Sequence, residues 1–99
     1  MPSNLFSPIT VGGLELQHRV VLAPLTRFRA TPSTYVPILP YVKDYYAQRG
    51  SRPGTLLITE GTMISPRHIG GWNAPGIWSE EQIAAWKQVR PRRYNFMYE

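Results

Sequence analysis

Two short, continuously apolar runs, Val20-Val21-Leu22-Ala23 and Thr55-Leu56-Leu57-Ile58-Thr59, bracket one helix-like segment, and this arrangement constrains the fold most. An uninterrupted apolar run of this length suits a strand buried on both faces, as in a parallel sheet. Between the runs lies a polar, proline-punctuated stretch over 27–37. The segment from about 40 to 49 follows, with Val42, Tyr45, Tyr46 and Arg49 on one helical face. Pro40 suits the start of a helix, where its missing N–H costs nothing, and Gly50 suits the position just past the end. Pro53-Gly54 then breaks the chain before the second run. Strand, helix and strand in this spacing predict a βαβ unit with parallel strands and a right-handed crossover.

Ahead of this unit, Ile9-Thr10-Val11 and Leu14-Glu15-Leu16 flank Gly12-Gly13, which predicts a β-hairpin because both turn positions must take positive φ. Behind it, the Gly-, Pro- and aromatic-rich run from Ile64 to Trp78 has little periodicity and reads as a long loop. Ser79 opens a second helix: Ser79 and Gln82 form a capping box, Glu80 and Glu81 favour the positive end of the helix dipole, and Trp78 can staple onto Ile83. Ile83, Trp86 and Val89 continue its buried face, and Pro91 ends it. The tail RPRRYNFMYE has no strand or helix pattern of its own, and no internal repeat is present.

With 99 residues the chain has room for one small domain and not for a complete large enzyme fold. Its 42% hydrophobic and 17% charged residues are those of a folded segment. The formal charge of +5 is partly the tail's, where Arg90, Arg92 and Arg93 face only Glu99. The other basic residues are scattered among apolar segments, which argues against a nucleic-acid surface. No cysteine is present, excluding a disulfide framework, a thiolate metal site and a cysteine nucleophile. The first eight residues lack a basic and an apolar region, and no stretch approaches a membrane span, so a cytoplasmic protein without membrane association is expected.

Generic catalytic constellations are missing. His18 and His68 are far apart in sequence, with no third ligand type, and read as loop or surface residues. No spaced carboxylate pair or Gly-rich phosphate loop is present. Position is more informative. Ligands of parallel sheets and barrels bind at the carboxyl ends of strands, here Pro24-Leu25-Thr26 and Glu60-Gly61-Thr62. Thr26 offers a donor to a flat heterocycle, and Gly61 lets such a ring approach the backbone closely. Thr and Gly also end strands for ordinary turn reasons.

At these residues the sequence resembles a known family. LFSPITVGGLELQHRVVLAPLTRFRA, YYAQRGSRPGTLLITEGTMISP and GGWNAPGIWSEEQIAAWKQV, in this order, are similar to the N-terminal region of the old yellow enzymes, over Asn4 to about Val89. The resemblance implies an α/β fold that is the N-terminal part of a (β/α)8 TIM barrel: a hairpin lid and the first two βα units, leaving the barrel incomplete. It implies non-covalent FMN at the strand ends, with Pro24, Leu25 and Thr26 against the isoalloxazine, the Thr26 hydroxyl near the flavin C4 carbonyl and N5, and Gly61 beside the ring. The family's chemistry takes hydride from NADPH or NADH and delivers it through the flavin to the C=C bond of an α,β-unsaturated carbonyl compound. The other family-like positions read as structural: Arg27 and Arg29 order the barrel or its loop, Tyr45 and Tyr46 pack a helix, Trp78 and Trp86 are core, and Trp72 and His68 lie on a loop, with an overhang above substrate as the less favoured alternative.

The family continues into a third strand with a glutamine, then a histidine pair for the substrate carbonyl, a proton-donating tyrosine and the phosphate site. None of these motifs is present, so no catalytic residue is assigned. The expected division is 1–89 as the N-terminal part of an FMN-binding oxidoreductase domain and 90–99 as a basic tail outside the family. The isolated chain is expected to be inactive and to retain no flavin on purification. The competing expectation is a non-catalytic remnant or interaction fragment that binds no flavin. A weaker third expectation is a small basic binding module that uses the tail.

Overall fold

A computed structural model of the chain describes residues 3–68, 73–89 and 95–97. The hairpin forms as its glycines require. Strand β1 (Ile9–Val11) pairs antiparallel with β2 (Leu14–Leu16), Ile9 opposite Leu16, and Gly12 and Gly13 take φ of +54° and +85° between them. Leu16 turns inward and is buried. The next residue, Gln17, donates its backbone N–H to the Gly54 carbonyl at 3.2 Å, which docks the hairpin onto the turn ahead of the next buried strand.

The second sheet is parallel and three-stranded. Its edge strand β3 (Val21–Leu22) pairs with the central β4 (Leu56–Ile58), Val21 level with Leu56, and β4 pairs with β5 (Asn95–Met97). Helix α1 (Tyr41–Arg49) connects β3 to β4, and α2 (Glu80–Val89) follows β4. Val42, Tyr45 and Tyr46 of α1, Trp86 and Val89 of α2, and Leu57 of β4 form one buried cluster, so both helices cover the same face of the sheet. Burying side chains of this size stabilises the unit by about 1.5–3 kcal/mol each. The Trp86 indole N–H, which would be costly to bury unpaired, donates to the Gly76 carbonyl at 3.0 Å.

Helix α2 begins as its capping residues dictate. The Gln82 N–H donates to Ser79 Oγ at 3.1 Å, and Gln82 Oε1 accepts the Ser79 N–H at 2.9 Å, so each residue satisfies the other's orphan donor. The Trp78 N–H also reaches Gln82 Oε1, at 2.8 Å, while Gln82 Nε2 donates to the Thr34 carbonyl. These bonds hold the Gln82 side chain against the preceding loops. The buried face of α2 is therefore Gln82, Ala85, Trp86 and Val89, and Ile83, expected inside, is exposed. The expected end of this helix at Pro91 lies outside the described residues.

Four further expectations are corrected. The first apolar run is a strand only over Val21–Leu22, and it is not buried on both faces: Val20 and Val21 are exposed because β3 is an edge strand with one described neighbour. The tail, which carries no strand pattern, supplies β5, because backbone pairing along the free edge of β4 needs no apolar alternation. His18 lies in a loop, as expected, but not at the surface. It is buried, its Nε2 lies 2.8 Å from Thr55 Oγ1, and its Nδ1 accepts the Val20 N–H at 3.1 Å. Because Thr55 Oγ1 donates to the Arg52 carbonyl and Nδ1 is an acceptor, the ring carries its proton on Nε2. Trp78 is only half-buried and lies against Tyr35, 6.0 Å between ring centroids.

The fold is the opening part of a parallel barrel, three strands wide among the described residues and not closed. No helix among those residues is long and apolar enough to cross a membrane.

Candidate functional site

The carboxyl ends of β3 and β4 lie side by side. Continued beyond Leu22 and Leu57, their register brings Thr26 level with Gly61. A Cβ built on Gly61 would have one neighbour within 4 Å, Thr26 Oγ1 at 4.0 Å, and otherwise open space. Pro24 and Leu25 are exposed beside it, Leu25 by 48%, and Thr26 is half-exposed with no hydrogen bond from its hydroxyl to a described residue. The structure thus brings together all four residues singled out in the sequence. They form an open ledge with an apolar surface, one free hydroxyl and a backbone position bare of side chain.

Loops carried by both strands stiffen the surroundings of this ledge. The Ala30 N–H donates to the Asn73 carbonyl at 3.0 Å, and the Gly76 N–H donates to the Tyr35 carbonyl at 2.9 Å. Met63 pairs with the segment around Gly76 through its N–H to Pro75 and its carbonyl to Ile77, both at 2.9 Å. The loop after β3 and the loop after β4 are therefore tied to each other as well as to their strands. His68 stands exposed on a short 3-10 turn (Pro66–His68), its Nδ1 2.7 Å from Ser65 Oγ, and Trp72 lies outside the described residues.

Beneath the ledge is a polar cluster that sequence reasoning passed over. Glu60 is 1% exposed; its Oε2 accepts the Arg27 backbone N–H at 3.0 Å, and its Oε1 accepts the Tyr46 hydroxyl at 3.3 Å. The Tyr46 oxygen in turn accepts the Glu60 N–H at 3.0 Å. Burial pushes the Glu60 carboxyl above its usual value, opposed by the Arg27 amide, the Tyr46 hydroxyl and the Arg27 and Arg29 charges. Burial, reinforced by the Glu60 charge, also raises the Tyr46 hydroxyl. The available signal was an acidic residue directly following a buried strand, a place where a carboxylate needs partners.

Arg27 and Arg29, read as loop-ordering residues, do surround the aromatic face of α1. The Arg29 guanidinium lies 4.0 Å from the Tyr41 ring centroid and 5.3 Å from that of Tyr45, Arg27 lies 5.8 Å from Tyr45, and Arg49 covers Tyr45 at 4.0 Å. No group of three metal-ligating side chains occurs among the described residues.

Known proteins resemble this chain over most of its length. The sequence profile of the NADH:flavin oxidoreductase / NADH oxidase family matches residues 4–91. The chain is 62% identical over 87 residues to "Probable inactive reductase easA" of Epichloe festucae var. lolii, covering 88% of this chain and 22% of that protein. It is 59% identical over 87 residues to chanoclavine-I aldehyde reductase fgaOx3 of Penicillium roqueforti, covering 88% of this chain and 23% of the relative. The solved old yellow enzyme from Trypanosoma cruzi superposes with a TM-score of 0.81 at 38% identity, over 87% of this chain and 22% of that one. The chain thus spans less than a quarter of the length of these relatives.

Proposed function

Since this chain belongs to the NADH:flavin oxidoreductase / NADH oxidase family, which includes the old yellow enzymes, we propose that its strand ends form one wall of an FMN site in an ene-reductase-type oxidoreductase. The observation that carries the reading is the Thr26 hydroxyl 4.0 Å from the empty Cβ position of Gly61. A flat ring needs such a ledge: bare backbone on one side, apolar surface beneath, and a donor at its edge. Pro24 and Leu25 supply the apolar surface, Gly61 the close approach, and Thr26 a hydroxyl free to donate to a ring carbonyl or nitrogen. In the complete family fold FMN supplies hydride relay from NADPH or NADH to the C=C bond of an α,β-unsaturated carbonyl compound. The name of the Penicillium roqueforti relative, an aldehyde reductase, supports a carbonyl-bearing small molecule as substrate. Thr26 holds and orients by a neutral hydrogen bond; no acid, base or nucleophile stands on the ledge, so this wall binds and does not itself move the substrate's protons.

The test is a titration of the isotope-labelled chain with FMN, followed by amide NMR. Weak, reversible shifts concentrated at Leu25, Thr26 and Gly61 are expected, without NADPH oxidation. Shifts that are absent, or that spread to the hairpin or α2, overturn the reading. A second reading, a fragment that associates with other proteins and binds no flavin, is favoured by the exposed apolar side chains of Val20, Leu25 and Phe28. It predicts concentration-dependent association by sedimentation and no response to FMN.

A further inference from the structure

We infer that Glu60 is a positioning residue for the flavin wall, holding Thr26 and Gly61 at a fixed separation by gripping the Arg27 backbone amide; the inference rests on the reading proposed above. The pairing of β3 and β4 stops at Leu22 and Leu57, short of the ledge. Beyond that point the two chain ends need another connection to stay level. Glu60 provides one: it immediately precedes Gly61, and its Oε2 binds the N–H immediately after Thr26 at 3.0 Å. One side chain therefore spans the ledge from below, and movement of either ledge residue strains the same hydrogen bond.

The choice of side chain fits this role. An ionised carboxylate presents two acceptors and no donor, and the groups pointing at it, the Arg27 amide and the Tyr46 hydroxyl, are both donors. The hydroxyl is fixed in turn by the Glu60 N–H at 3.0 Å, so α1 supports the clamp from the helix side of the sheet. A buried carboxylate is costly without such partners. The titratable and charged groups facing it are Tyr46 from α1 and Arg27 and Arg29 from the loop after β3; burial works against its ionised form, and the Arg27 amide, the Tyr46 hydroxyl and the two guanidinium charges favour it. A protonated Glu60 would turn one acceptor into a donor and weaken the grip.

The test follows the Arg27 amide by NMR in the full chain, in wild type, Glu60→Gln and Glu60→Ala, with FMN affinity read from the Thr26 and Gly61 resonances. In wild type the Arg27 amide shift is expected to step with pH, and the step to vanish in Glu60→Gln. Glu60→Ala is expected to lose Arg27 exchange protection and to weaken FMN binding about tenfold, whereas Glu60→Gln, which keeps one acceptor, weakens it by less than about threefold. An Arg27 amide that shows no step in wild type, or stays equally protected in Glu60→Ala, overturns the inference, as does full FMN affinity with a freed amide. Should Glu60→Ala not fold, the contrast between wild type and Glu60→Gln decides. Absence of any FMN response in wild type removes the flavin reading alone, since the amide still reports on the clamp.

Discussion

Thr26 and Gly61 face each other across the ends of two parallel strands: the hydroxyl oxygen of Thr26 is 4.0 Å from the position a Cβ would take on Gly61. That distance is ordinary van der Waals contact, so Gly61→Ala introduces a methyl group without displacing protein atoms. Its thermal stability is expected to stay within about 0.5 kcal/mol of wild type, as for a neutral surface change. The same methyl occupies the space that a planar ring needs. Loss of FMN-induced shifts with an unchanged melting curve is the expected result, and unchanged FMN binding would show that the ring lies elsewhere.

Gln82 joins the start of α2 to the loop after β3, through Ser79 on one side and the Thr34 carbonyl at 2.9 Å on the other. Ser79→Ala removes one cap bond and is expected to cost about 1 kcal/mol. Gln82→Ala removes the reciprocal bond and the part-buried link to the Thr34 carbonyl, and is expected to cost about 2 kcal/mol. Urea unfolding followed by circular dichroism compares the two. Equal costs would mean that Gln82 acts only as a cap.

Much of this arrangement was legible from local chemistry. Gly12-Gly13, Pro40 with Gly50, and the Ser79/Gln82 pair are signals whose physics acts within a few residues, and hairpin and helices form where they predict. The ledge was legible too, because parallel strands deliver their carboxyl ends to one edge and Thr26 and Gly61 follow the two apolar runs. What was not legible depends on partners distant in sequence. The phase of α2 is set by Gln82 reaching back to Thr34, which turns Ile83 outward. His18 is buried because Thr55 and the Val20 amide satisfy both ring nitrogens. Strand β5 arises from backbone pairing to β4, for which the tail's side chains give no pattern.

Gly54 and Gly12 separate backbone strain from crowding. Both have positive φ, +77° and +54°, but a Cβ on Gly12 would meet nothing within 4 Å, whereas one on Gly54 would run into the Gln17 side chain and lie 3.1 Å from its backbone nitrogen. Gly12→Ala is expected to cost about 1 kcal/mol from the left-handed conformation alone. Gly54→Ala is expected to cost more, about 2–3 kcal/mol, because the Gln17 to Gly54 backbone bond that docks the hairpin must also shift. Denaturant midpoints at constant slope give both values, and equal costs would show that the hairpin yields freely.

Glu60 also predicts the sign of a pH effect on stability. Burial raises its folded-state carboxyl above the ordinary value of 4.5, so the folded chain holds a proton that the unfolded chain has already released. The stabilising contribution of this group is complete below the ordinary value and is lost as pH rises through the raised one. Glu60→Gln cannot titrate and lacks this loss. In urea unfolding over a pH series from about 4 to about 8, the stability of wild type relative to Glu60→Gln is therefore expected to fall as pH rises and then to level off. A difference that is flat across the series, or that grows with pH, would mean that the Arg27 and Tyr46 donors and the two guanidinium charges outweigh the burial of the carboxylate.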